Sequence, residues 1–90
     1  MNDKRRRRIS EVSAKVGNLK GTLEELMGEV EDIKSEEEDY MENIPDNLRN
    51  SERYEVAETA VDNLEEAHSK LDEIVGELEE AESYLDEAAN

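Results

Sequence analysis

The chain has 90 residues, 42% of them charged and 3% aromatic, with a net charge of -16 and no Phe, Trp or Cys. That excludes a large globular core, disulfides, thiolate metal sites and cysteine nucleophiles. No apolar run reaches the roughly 18 residues of a membrane span, and no signal-peptide core follows the N-terminal charges. The expectation is one helical domain in the cytoplasm of a cell, without membrane contact.

The charge is unevenly placed. Lys4, Arg5, Arg6, Arg7 and Arg8 supply five of the eleven basic residues. Residues 1–8 carry +4 and the remaining 82 carry -20. An acidic body repels nucleic acid and anionic membrane, whereas the small basic end is suited to a small anion.

From Ile9 the first half reads Ile9, Val12, Val16, Leu19, Leu23, Leu26, Val30, Ile33, Glu37, Tyr40, Ile44. Steps of three and four alternate without a slip, which is the a/d seam of a heptad helix. The spacing predicts a helix over about 5–43. Pro45, the only proline, disfavours helix at Ile44 and predicts a turn over 44–50. Ser51 is suited to cap a second helix over about 51–89. Its seam is Tyr54, Ala57, Val61, Leu64, His68, Leu71, Val75, Leu78, Glu82, Leu85 and Ala89.

Folding the halves back at Asn47 makes the seams mesh as an antiparallel two-helix coiled coil. Facing layers run from Ile9/Leu85 through Val16/Leu78, Leu23/Leu71 and Val30/Leu64 to Tyr40/Tyr54. The e positions of the second helix, Glu58, Glu65, Asp72, Glu79 and Asp86, are all acidic and face Lys20 and Lys34 of the first. Such a thin pair buries little, so the expected fold is an all-α hairpin that self-associates into a helical bundle. The outer residues Ala14, Gly17, Gly21 and Gly28, and Gly76 in the other helix, are small enough for close approach of another backbone.

Catalysis finds no support, because nothing assembles a nucleophile, a base and an oxyanion site. His68 with Glu65 has the Glu-x-x-His spacing of di-iron bundles, but Leu26 and Val30 face it, so no metal or other cofactor is expected. Glu37 and Glu82 interrupt the seams at opposite ends; Arg53 stands near the first, and Lys15 or the arginine cluster near the second. Arg5–Arg8 admit two readings. They neutralise Glu79, Glu82, Asp86 and Glu87 at the end of the second helix, or they bind phosphates through their planar forks, with Tyr84 close by to stack a base.

Pro45-Asp46-Asn47-Leu48, Ser51-Glu52-Arg53 and Asn63-Leu64-Glu65-Glu66-Ala67 form a pattern that resembles small acidic proteins of phages and prophages of Gram-positive gut bacteria. The resemblance covers residues 36–89 and implies a phage setting rather than an activity. Phage proteins of this size often disarm host defences. The leading expectation is therefore a non-enzymatic anti-defence protein, an oligomeric sponge for a cyclic or ADP-ribose-type nucleotide signal, with Arg5, Arg6, Arg7, Arg8 and Tyr84 as its ligand-binding residues. The alternatives are an acidic inhibitor that imitates nucleic acid and occupies a basic host protein through Glu36–Asp39, and a structural or assembly module.

Overall fold

A computed structural model describes residues 2–90. It consists of a long helix α1 (Asp3–Glu42), a short 3-10 turn (Asp46–Leu48) and a second long helix α2 (Glu52–Ala89). There is no strand among the described residues. Both helices begin and end within two residues of the positions read from the heptads. The fold is all-α, as expected.

The N-terminus of α1 is capped by Asn2, whose Oδ1 accepts the Arg5 backbone N–H at 2.7 Å. A side-chain oxygen there satisfies one of the donors that a helix start leaves unpaired. At the other end Ile44 is buried, and its N–H returns to the Met41 carbonyl at 3.1 Å. Pro45 then adopts an extended ψ of 146° and breaks the helix. Its carbonyl accepts the Leu48 N–H at 2.8 Å, and the Leu48 carbonyl accepts the Ser51 N–H at 3.0 Å. Ser51 caps α2 as its position predicts: its Oγ accepts the Tyr54 N–H at 3.4 Å. Arg49 is held by Asp46 at 3.1 Å, and its guanidinium lies 5.9 Å from the Tyr54 ring centre.

The chain divides into two compact units. One is Leu26–Lys70, which contains the turn; the other joins the chain up to Glu25 with Leu71–Asn90. The turn unit is a helical hairpin. Ala57 is its most deeply buried side chain, 1% exposed, and Lys34 reaches across to Glu65 at 3.3 Å. In the other unit Val75 is buried, Ser13 donates to Asp86 at 2.9 Å and Lys20 pairs with Glu82 at 3.1 Å. These two contacts run in opposite directions along the chain, so the segments are antiparallel.

The seam of α1 differs from its a/d reading. The residues that α1 turns inward are at a and e. Val16 and Leu23 are half-buried beside Ser13 and Lys20 in one unit, and Val30 beside Met27, Lys34 and Met41 in the other. The d residues stand at the edge: Val12 and Leu19 are 48% and 51% exposed, and Leu26, Ile33 and Tyr40 are 42%, 50% and 43% exposed. Two of the inward e residues are lysines that reach α2 carboxylates, Lys34 to Glu65 at an e position and Lys20 to Glu82 in the seam itself. Both lysines are half-buried, so their methylene stems lie along the groove while the ammonium groups reach the carboxylates. The side chain of Lys34 is only 18% exposed. α2 keeps its a/d face inward, with Ala57, Val61, Leu64, His68, Leu71, Val75 and Leu78 all buried or half-buried.

Candidate functional site

Arg5–Arg8 occupy the first turns of α1. Four consecutive residues of a helix span more than one full turn, so their side chains fan out around it. All four are exposed, and among the described residues none takes a carboxylate partner. Two of the four acids expected to neutralise them have other partners. Glu82 is paired with Lys20 rather than with Lys15 or the arginines, and Asp86 accepts the Ser13 hydroxyl. The basic end is therefore left open.

Gly17 explains how Glu82 reaches Lys20. A Cβ on Gly17 would lie 3.2 Å from Glu82 Oε2, so the missing methyl makes room for the carboxylate. Gly21, Gly28 and Gly76 have nothing within 4 Å of that position. The hydrogen bond to Glu82, and its charge with those of Glu79 and Glu24, raise the Lys20 pKa above its ordinary 10.5. Lys34 is raised in the same way, first by its hydrogen bond to Glu65 and then by Glu31, Glu65 and Glu38. In both cases a partial loss of hydration opposes the shift without reversing it.

Tyr84 is 75% exposed and makes no cation–π contact with an arginine among the described residues. Sequence reasoning groups Tyr84 with Arg5–Arg8; within one chain no hydrogen bond or ring contact joins them. It missed the concavity beside the turn, about 470 Å³, lined by Tyr40, Asn43, Ile44, Pro45, Leu48 and Arg53 among others. The signal for it was Leu48, an apolar residue within a polar turn, which is 48% exposed. The expected facing layer Tyr40/Tyr54 is uneven. Tyr54 is half-buried under Arg49, whereas Tyr40 stays at the edge. Glu37 and Arg53 line one groove without forming an ion pair.

His68 is half-buried beside Glu31, Lys34, Glu65, Glu66 and Ser69. No group of three or more His, Asp or Glu residues is placed to hold a metal ion among the described residues. Among those residues, too, no helix is long and apolar enough to cross a membrane. Comparison with protein-family models, with curated proteins and with solved structures gives no match.

Proposed function

We propose that this is a non-enzymatic binding protein that self-associates into a helical bundle and captures a small anionic nucleotide at its arginine end. In the phage setting that the resemblance implies, its place is the bacterial cytosol and its role is to sequester a nucleotide defence signal. The observation that carries this reading is the open state of Arg5–Arg8. Four exposed guanidinium groups follow one another in the first turns of one helix without an ion pair among the described residues, while Glu82 and Asp86 are held by Lys20 and Ser13. Charges so close repel one another, and an anion with several oxygens relieves that repulsion while accepting paired N–H bonds from the forks.

Self-association is supported by the edge of α1. Leu19 and Ile33 each keep about half of their surface in water. A heptad row of large apolar side chains on one edge is suited to a further helix.

The test is capture and release. The protein is mixed with cyclic dinucleotides and ADP-ribose, filtered and denatured, and the released material is identified by mass spectrometry. An intact nucleotide is expected from the unaltered protein and none from a variant with Arg5–Arg8 replaced by alanine, which should melt at the same temperature. Equal retention by both proteins would refute the assignment, and a chemically altered product would make the protein an enzyme.

A second reading draws on Glu36, Asp39 and Glu42, which are exposed and take no ion pair among the described residues. Such a surface suits a basic partner protein. It predicts a complex that is weakened by salt and by charge reversal at Glu36–Asp39.

A further inference from the structure

The exposed row of α1 has a counterpart on α2. In an antiparallel pair, the g positions of the two helices lie on the same flank. On that flank α2 carries Arg53, Ala60, Ala67, Ile74, Ala81 and Ala88 at g, and α1 carries its d row. In the turn unit the d row is Leu26, Ile33 and Tyr40 and the g row is Arg53, Ala60 and Ala67, with Tyr40 and Arg53 lining one groove. In the other unit the d row is Val12 and Leu19 and the g row includes Ile74 and Ala81, and Val12, Leu19 and Ile74 are 48%, 51% and 41% exposed. One row is bulky and the other is mostly alanine, so the two are complementary in size.

We infer that a second copy of the chain covers this flank, with α2 of one copy on the exposed edge of α1 of the other, and that Tyr84 reaches the arginine end from the partner copy. The inference rests on the reading that the protein self-associates and captures an anion. Three observations lead to it. First, α1 turns a/e toward its own α2, and the d row that this leaves free points about a quarter-turn away, the angle of a second neighbour in a four-helix bundle.

Second, a two-fold axis parallel to the helices keeps each residue at its own level. By the levels read from the sequence, Val12 then meets Ala81 of the second copy, Leu26 meets Ala67 and Ile33 meets Ala60. Large side chains meet small ones, which is how facing layers interdigitate. Pairing α1 with α1 would instead set leucine on leucine while leaving alanine on alanine, two different spacings in one bundle.

Third, the outer margin brings one opposite-charge pair and one arginine–tyrosine pair together. The g residues of α1 meet the c residues of α2, so Lys15 stands against Glu77 of the second copy and Arg8 against Tyr84. The exposed Tyr84, which has no role inside one chain, thereby gains one beside the arginines. The site is incomplete in a single chain. Its phosphate-binding half is Arg5–Arg8 of one copy, and its base-stacking half is Tyr84 of the other.

Because the chain has no cysteine, cross-linking tests the packing directly. Single variants Leu26→Cys, carrying a size tag, and Ala67→Cys are co-refolded and oxidised. A disulfide between the two different chains is expected as the dominant product, with Leu26→Cys alone remaining unlinked. Efficient linkage of Leu26→Cys to itself would place α1 on α1 and overturn the arrangement, as would the absence of any link.

The composite site is tested by mixing the Arg5–Arg8 alanine variant with Tyr84→Ala and measuring retained ADP-ribose and cyclic dinucleotide. Each variant alone should lose retention, whereas the mixture should recover part of it, since a mixed dimer rebuilds one intact site. A mixture no better than its components would overturn the shared site, and so would full retention by Tyr84→Ala alone. If the unaltered protein retains no nucleotide, the capture reading fails while the cross-link still decides the packing.

Discussion

The three glycines of α1 offer a sharp test, because they share one helix and differ in what surrounds them. Replacing an interior helical glycine by alanine gains roughly 0.8–1.0 kcal/mol from backbone propensity alone. At Gly21 and Gly28 a Cβ meets nothing within 4 Å, so that gain should appear undiminished. For a domain of this size it corresponds to a rise in melting temperature of about 4–8 °C. At Gly17 the new methyl meets Glu82 Oε2 at 3.2 Å. Glu82 is flexible, but its Oε1 is held by Lys20 at 3.1 Å, so moving the carboxylate loosens that contact. Gly17→Ala should therefore gain less than half of what Gly21→Ala gains, and Glu82→Ala should restore the difference in a double-mutant cycle. Melting followed by circular dichroism at one fixed protein concentration measures all four variants, since association shifts apparent stability by mass action. Equal stabilisation at Gly17 and Gly21 would refute the seating of Glu82 against Gly17. Destabilisation by Gly21→Ala would show that another backbone packs on that outer face.

The remaining predictions concern the cap, the core and the lysines. Ser51→Ala should cost about 0.5–1 kcal/mol in urea unfolding, toward the low end for a cap because the bond to Tyr54 is long at 3.4 Å. Val75→Ala removes two buried carbons and should cost roughly 1.5–2.5 kcal/mol, read as a lower urea midpoint with an unchanged slope. Lys20 and Lys34 have pKa values raised by their carboxylate partners, so their contribution is complete below the ordinary lysine value of 10.5 and is lost as pH climbs through the folded values. A melting series should fall above that pH in the unaltered protein and fall less in a Lys20→Met, Lys34→Met variant.

Much of the architecture is written in the sequence. Pro45 and Ser51 mark the end of one helix and the start of the next by backbone chemistry alone, so both boundaries were legible. The a/d spacing located the inward face of α2 correctly. In α1 it did not, because spacing cannot weigh a leucine at d against a lysine at e when the facing helix is acidic. The all-acidic e positions were visible, and Lys34 does reach one of them, Glu65, but Lys20 reaches Glu82 in the seam instead. The pairing of Glu82 was misjudged for a similar reason. Lys15 lies nearer in the simple register, but the gap at Gly17 opens the route to Lys20. At the arginine end, the sequence left neutralisation and anion capture both open. In the structure Glu82 and Asp86 have other partners, Lys20 and Ser13.

The turn also governs the order in which the helices can meet. Its hydrogen bonds join residues three or four apart, so the reversal of the chain forms from local contacts. The Lys34–Glu65 contact closes a loop of 31 residues and Lys20–Glu82 one of 62. Doubling a loop costs only about 0.6 kcal/mol, but the price falls on the chain before the contact rewards it. The first stable encounter should therefore be at Ile44, Ala57 and Tyr54, with later contacts closing like a zipper. Changes at Pro45 or Ser51 should slow folding, whereas changes at Val75 should chiefly hasten unfolding. A seven-residue reversal thus sets the tempo of assembly for a ninety-residue chain.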